Sequence, residues 1–561
     1  MSKRIKGILF PSLITVLFLA LYFYIFIPAI NLRAAGFWCM IILSGIVFLV
    51  SFICFNKPAF YEEAKDWLKQ YFKFLNTDHK KEQKNVKVIA PPMPKWLKTT
   101  FLSVISVIAL VLIISLFTSS KLFRAADYQT MLDVKESDFA EDIAELPISQ
   151  IPVVDRDTAQ RLGSRKIGEV VELVSQFDVS DYYSQINYKN KPFRVSPLQY
   201  ADILKWISNR AEGIPYYVSI DMATQATELV HLDEGIKYSP SEYLSRDLNR
   251  HIRFSYPTRM FENLSFEIND TGHPYWVMSY YDYTFGLFGG KDIEGIILVD
   301  AVTGEMIDYA LSDVPQWIDL AYSPELAIAQ ANNYGMLKNG FLNSIFVQRD
   351  VVVTTEGYNY VAIDDDVWLY TGITSVSADE SNIGFILINM RTKEAKTYMI
   401  NGAEEFSAME SAQGQIQEKG YNATFPILIN IEDKPSYFLS LKDNAGLVKS
   451  YAFVSVTDYQ IVGVADTIDG AKEEYLRLLG VNRGDDANSE VTDEKTGTVQ
   501  AVATAVVGGN SVYYIEIDGD VYIANISVSD ILPFVKTGDI VNFKFNSKKQ
   551  ITEVKIIESG S

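Results

Sequence analysis

Chemistry-bearing residues are sparse in this chain of 561 residues. Its four histidines, His79, His231, His251 and His273, are scattered, and its two cysteines, Cys39 and Cys54, lie in one apolar run. The sequence holds no His-Glu-x-x-His helix, Gly-x-Ser-x-Gly elbow or Gly-x-x-x-x-Gly-Lys phosphate loop. What remains for acid–base work is carboxylate. Asp364-Asp365-Asp366, Asp379-Glu380 and Glu404-Glu405 are the candidates, with Asp365 and Glu404 the residues a carboxylate-driven hydrolase would use. Adjacent carboxylates on one strand point to opposite faces, so these runs read first as solvated turns. The spaced Asp-x-Asp-x-Asp-Gly ladder of a calcium loop is missing, and neither metal nor cofactor is expected.

The elements that must position these residues recur along the chain. Pro274 to Met278 and Gly295 to Asp300 read as strands, Thr303-Gly304-Glu305 as a turn, Met306 to Tyr309 as a strand, and Ser323 to Tyr334 as a helix. The order returns at Val367 to Tyr370, Ile383 to Asn389, Thr392-Lys393-Glu394, Ala395 to Met399 and a helix near Ala403 to Lys419. A looser copy uses Pro435 to Leu439, Gly446 to Val456, Tyr459 to Val464 and a helix from Thr467 to Leu479. Each copy is an antiparallel meander whose one face a helix covers. Ahead of them, Asp157 to Phe177 and Pro197 to Arg210 read as helices and Tyr216 to Ile220 as a strand.

The strand at Pro274-Tyr275-Trp276-Val277, with Val299-Asp300-Ala301-Val302-Thr303-Gly304-Glu305-Met306 after it, resembles a PepSY-type domain across residues 266–311. That resemblance implies a helix packed on an antiparallel sheet outside a bacterial membrane, in a family tied to peptidase control and envelope signalling rather than catalysis. The copies at Asn389 and Phe453 lack the Asp and the Gly of the pattern.

Three stretches, Ile8 to Ile30, Gly36 to Cys54 and Thr99 to Phe117, carry no Asp, Glu, Lys, Arg or His. Each is long enough to cross a hydrocarbon core of roughly 30 Å, and soluble helices keep a polar face that these lack. Without intramembrane polar groups the spans are an anchor, not a pathway. The loop from Phe55 to Lys98 has ten lysines, against one arginine in the turn between the first two spans, which places the loop and the N-terminus in the cytoplasm. Within the loop, Phe60, Ala64, Trp67, Leu68, Tyr71, Phe72 and Leu75 recur at helical spacing beside Lys65, Lys69 and Lys73. That pattern fits a helix on the lipid surface, and equally one packed on a partner or on the spans. Everything beyond Thr118 is then exported. It holds 36 of the 50 basic and 65 of the 70 acidic residues, a net charge of −29, and no cysteine. Such acidity disfavours nucleic acid, and an exported domain without disulfides fits a single-membrane bacterium.

The expected fold is therefore a three-helix transmembrane anchor, an α+β ectodomain of repeated antiparallel sheet-and-helix units, and a C-terminal OB-like β-barrel. The expected divisions are an anchor at 1–117, a stalk at 118–150, α+β units at 151–260, 261–345 and 346–480, a linker at 481–496, and five short strands at 497–558 as the barrel. The barrel has no arginine, which argues against an oligonucleotide face. The expected role is a membrane-anchored binding or regulatory protein of the cell envelope with a protein partner, the alternative an envelope hydrolase. A cysteine placed at Ser119 or Asn510 should react with an impermeant maleimide on intact cells, and one at Asn76 only after permeabilisation. Labelling Asn76 but not Asn510 on intact cells would invert the topology.

Overall fold

The computed structural model describes residues 3–56, 62, 65–72, 94–363, 365–376, 381–479, 493–507, 510–529, 531–545 and 549–558. Expectations for Asp364, Asp379, Glu380, Lys73, residues 78–93 and linker residues 481–492 lie outside these. The described chain forms two compact units, residues 1–449 with 455–459, and residues 450–454 with 460–561.

Helices α1 (Lys3–Phe26), α2 (Ala35–Asn56) and α3 (Lys95–Ser119) are long and apolar enough to cross a membrane. The first two form a hairpin, closed at one end by the Asn56 side-chain amide donating to the Gly7 carbonyl at 2.7 Å. At the other end the turn meets the rest of the unit, where Ile30 N–H donates to the Pro257 carbonyl at 2.7 Å. The end of α3 meets the same surface: Ser119 Oγ accepts from the N–H groups of Leu287 and Phe288 at 2.9 and 3.0 Å.

Past α4 (Lys121–Gln129) and β1 (Val134–Glu136) come α5 (Arg156–Gly168), β2 (Phe177–Val179), β3 (Ser184–Asn187), β4 (Pro192–Tyr200), α6 (Ile203–Asn209), β5 (Ile214–Asp221) and β6 (Thr227–Ile236). Helix α7 (Leu248–Ser255) leads into the meander β7 (Met260–Ile268), β8 (Pro274–Phe285), β9 (Gly289–Asp300) and β10 (Met306–Ala310). Helix α8 (Pro324–Leu337) leads into β11 (Val352–Thr354), β12 (Asn359–Ile363), β13 (Asp366–Ser375), β14 (Gly384–Asn389) and β15 (Ala395–Tyr398). Helix α9 (Glu405–Gln415) precedes the hairpin of β16 (Ile427–Ile431) and β17 (Lys434–Lys442). The sheets run β2-β4-β5-β6 with β3 on β4, β10-β9-β8-β7, and β1-β15-β14-β13-β11 with β12 on β13.

One hydrogen-bond arrangement occurs four times. Met222, Ala301, Met390 and Val456 each donate an N–H back to the start of a strand, at the carbonyls of Pro192, Pro274, Val367 and Pro435. The carbonyl of each accepts from the segment entering the preceding helix: from Val153, from Lys237 and Tyr238, from Ala321 and Tyr322, and from Ala403. Three copies add the same turn. Asp221 Oδ1 accepts from Ala223 and Thr224 N–H, Asp300 Oδ1 from Val302 and Thr303, and Asn389 Oδ1 from Arg391 and Thr392, all at 2.8 to 2.9 Å. This is an Asx turn, which explains Asp-x-x-Thr-Gly-Glu by backbone geometry. Gly304 at φ +77° closes one copy, while Gln225 and Lys393 adopt φ +63° and +66° in the others. The repeating unit thus has its helix ahead of its sheet, and the copy ending at Met222 was not foreseen.

Other expectations change. Residues 118–150 are no stalk: α4 ends at Gln129, Leu132 is buried in the core between the second and third sheets, and β1 pairs in parallel with β15. Pro197 to Tyr200 is strand; the helix starts later because Asp202 caps it, accepting from Leu204 and Lys205 N–H. The helix from Asp157 stops at Gly168 and Phe177 begins β2.

In the second unit, residues of β18 (Val448–Ser455) pair with β19 (Val462–Ala465), and α10 (Ile468–Leu478) follows. Residues 493–496, assigned to the linker, belong to β20 (Asp493–Val507), where Asp493 pairs with Phe545. With β21 (Asn510–Ile517), β22 (Asp520–Asn525), β23 (Ile540–Phe545) and β24 (Ile551–Glu558) it forms an antiparallel sheet in the order β22-β21-β20-β23-β24. A single parallel bridge joins Ile523 to Gln550, and Ile515, Tyr522, Leu532, Phe543 and Val554 fill the core.

Because Asn does at position 389 what Asp does at 221, Asp221→Asn should unfold within error of the parent. Asp221→Ala orphans two N–H groups and should cost about 1–2 kcal/mol. Denaturant unfolding of the purified chain checks both, and equal stability of the two variants would sink the equivalence.

Candidate functional site

A cleft of about 560 Å³ opens where the repeats meet. Arg194 on β4 lines it, a lone cation in the otherwise uncharged strand Pro192–Tyr200, 7% exposed. Its Nη2 donates to Gln185 Oε1 at 3.1 Å and its Nε to the Val154 carbonyl at 3.4 Å. Among the described residues no carboxylate forms an ion pair with it. Burial draws the guanidinium down to about 10, so it stays charged at neutral pH. Tyr358 and Tyr360, edge to face with ring centroids 5.7 Å apart, come from β12 and the turn before it. Asn263 and Asn359 add amide groups, and Arg156 and Glu325 are exposed where they line the cleft. Asp155 is occupied by Lys442 and by capping α5 through Thr158 N–H. A buried, unpaired guanidinium beside phenols and amides can receive a carboxylate or phosphate; the cleft offers no cysteine or histidine nucleophile.

Beneath the cleft lies a pair of buried carboxylates. Glu267 is 0% and Asp319 1% exposed. Glu267 accepts from Ser265 O–H at 2.8 Å and from Asp319 and Leu320 N–H at 2.8 and 3.2 Å; Ser265 and Leu320 themselves line the cleft. Asp319 Oδ2 accepts from Asn187 N–H at 2.7 Å. Asp319 Oδ1 and Asn187 Oδ1 have no partner among the described residues. Burial pushes Glu267 up to about 7; burial and then the Glu267 charge hold Asp319 well above the usual carboxylate range. The pair therefore holds its protons to higher pH than ordinary carboxylates do. Among the described residues no three His, Cys, Asp or Glu side chains are arranged to hold a metal ion.

The foreseen residues are elsewhere. Asp365 sits half-buried in the β12–β13 turn at φ +68°, its carboxyl pushed up by burial and by Asp270 and Asp366. Glu404 is the N-cap residue of α9, and the buried acid is its neighbour Glu405, whose Oε2 accepts from Asn382 at 3.4 Å. Neither Asp365 nor Glu404 lines the cleft, and they belong to separate elements. His273 bonds Asp300 at 3.0 Å in the β7–β8 turn. Lys65, Trp67, Lys69 and Phe72 lie in a helical stretch, residues 65–72, with Trp67 stacked on Tyr71 at 5.2 Å and Phe72 exposed. Arg194 was missed, although a single charge inside a run otherwise free of charge is the signal that could have marked it.

No protein-family model and no curated protein matches the chain. Among solved structures, a levansucrase mutant from Bacillus subtilis is 10% identical at a TM-score of 0.15, with 76% of this chain and 99% of that chain covered. A levansucrase mutant from B. megaterium is 10% identical at a TM-score of 0.17 with the same coverage. Likeness at this level carries no argument about fold or function.

The acid pair fixes a pH dependence. Both groups titrate higher folded than unfolded, where carboxylates titrate near 4, so the folded chain binds more protons between about pH 4 and 7. Stability from this pair is full at low pH and falls as pH rises through that window. Asp319→Asn puts an amide donor where Oδ1 lacks a partner and removes one charge. It should stabilise the chain by about 1–3 kcal/mol at pH 8 and by less at pH 5, read by thermal unfolding. A gain that is larger at pH 5 would refute the raised titration of the pair.

Proposed function

We propose that this chain is a membrane-anchored, extracytoplasmic binding protein of a bacterial envelope, and that its cleft receives an anionic group of an envelope partner. The carrying observation is Arg194, a buried cation without a carboxylate partner among the described residues, inside a domain that is otherwise strongly acidic. Burying an unpaired charge is expensive unless a ligand completes it, and a bidentate carboxylate suits a guanidinium. The orientation with the ectodomain outside is supported by the turn between α1 and α2 meeting Pro257, which leaves the lysine-rich loop at the far ends of the helices. Repeated helix-then-sheet units support the PepSY-like reading. The strand order of the second unit, with its parallel bridge, supports the OB-like one. Asp365 and Glu404, the residues named for the alternative hydrolase reading, do not line the cleft.

Peptidoglycan stem peptides carry free carboxylates and are the natural probe. Calorimetric titration of the full chain in nanodiscs should give saturable binding that Arg194→Gln weakens about tenfold or more, the loss of one charge-assisted pair. Equal affinity in the variant, or cleavage of the peptides by the parent chain, would overturn the reading.

A further inference from the structure

A second cavity, about 640 Å³, lies where the α1–α2 hairpin meets β7, β8 and the β8–β9 turn. Arg33, Trp38, Arg253, Phe261, Tyr283 and Phe288 are among its walls. Its level is set by the spans: α1 ends at Phe26, α2 begins at Ala35, and Trp38, 47% exposed, stands one turn into α2, where aromatic residues mark a membrane–water boundary. Helix α7 reaches the same level. Its Phe254, 54% exposed, packs edge-on against Phe23 and Tyr24 of α1.

Cations gather here against the trend of the domain. Residues 246–259 contain four arginines and one acid, in a portion of the chain that nets −29; of the four, Arg259 pairs with Glu294 and Asp308, and Arg253 lines the cavity. Arg250 covers the Tyr24 ring at 4.5 Å. Arg33 is neutralised by Asp282 at 2.8 Å. Arg253 is not neutralised. It is 6% exposed, lies 4.0 Å from the centre of the Phe261 ring, and donates to the carbonyls of Ile27, Tyr256 and Arg259 through Nε and Nη1. Its Nη2 has no partner, and no carboxylate pairs with it, among the described residues. The cavity therefore keeps one uncompensated positive charge at headgroup depth, with apolar helix surface below.

We propose that this cavity binds the headgroup of an anionic phospholipid, whose phosphodiester accepts from Arg253 Nη2 while its acyl chains lie along the exposed faces of α1 and α2. The charge suits a phosphodiester, the aromatic walls suit a glycerol backbone, and an acidic domain would otherwise repel such a lipid. The site is separate from the Arg194 cleft and stands whether or not that cleft binds carboxylates.

Native mass spectrometry of the full chain, released from nanodiscs of mixed phosphatidylglycerol and phosphatidylcholine, tests it. One phosphatidylglycerol should be retained in preference to phosphatidylcholine, and Arg253→Gln should reduce retention about tenfold. Because Arg253 also bonds three carbonyls, that variant can fail to fold; Ala34→Leu, which adds bulk to the cavity wall and leaves Arg253 in place, should then give the same loss. Glycerol phosphate in solution should not displace the lipid. Equal retention of the two lipids, full retention in Ala34→Leu, or displacement by glycerol phosphate would each overturn the proposal.

Discussion

A peptide group held from both sides organises the larger unit. At Met222, Ala301, Met390 and Val456 the chain turns back on its own strand, and the same residue's carbonyl captures the segment that enters the unit's helix. The two bonds fix where the helix begins relative to its sheet, so each repeat is set by backbone rather than by a particular side-chain packing. That is why the four copies tolerate Met, Ala and Val at one position and Asp, Asn or Ser just before it. It also explains how the cleft arises: with each helix fixed ahead of its sheet, entry segments and strand edges from successive repeats face one another.

The same rigidity is passed to the three long apolar helices through β8 and β9, twelve residues each and the longest pair in their sheet. Their inner halves carry Trp276, Val277, Ile296 and Ile297, all fully buried. Their shared turn carries the contacts to the spans. Arg33 donates to Asp282 and the Tyr283 carbonyl, and Ser119 accepts from Leu287 and Phe288. Gly286 sits at φ +65°, where an added Cβ would lie 2.3 Å from the Thr118 carbonyl oxygen, so only glycine allows this approach. Ser119, 6% exposed, is consequently a structural acceptor and a poor place for a labelling cysteine, whatever the sidedness of the membrane.

What was legible in the sequence was what local chemistry dictates. Span length and hydropathy gave the three helices, and Thr303-Gly304-Glu305 and Thr392-Lys393-Glu394 marked real turns. The first repeat escaped because Thr224-Gln225-Ala226 lacks the Thr-x-Glu turn of residues 303–305 and 392–394, although Asp221 and Thr224 keep the spacing seen at Asp300 and Thr303. Pro197 to Arg210 misled because Leu198, Trp206 and Ile207 happen to fall at helical spacing, while the cap at Asp202 divides strand from helix. The cleft was illegible for a different reason. Arg194, Asn263, Glu325 and Tyr360 are brought together from across more than one repeat, and no window of sequence holds them.

Charge then separates into compartments that bear on recognition. Buried carboxylates at Glu242, Glu267, Asp319 and Glu405 have no ion-pair partner among the described residues and rely on donors instead, Glu242 on the Tyr200 hydroxyl at 2.9 Å and the Trp206 indole at 2.6 Å. Cations are thus not spent inside on neutralising these acids. Arg194 and Arg253 keep guanidinium nitrogens for other uses, one in the cleft and one at the level of the span ends. An acidic exterior repels small anions at long range, so an anion arriving from bulk solution gains little at either place. An anion held on a larger partner, or held in the bilayer, is brought there by contacts that do not depend on its charge, and only then meets the guanidinium. If the two sites bind as proposed, the acidity of the domain selects against free anions and for anionic groups that are already attached to something else.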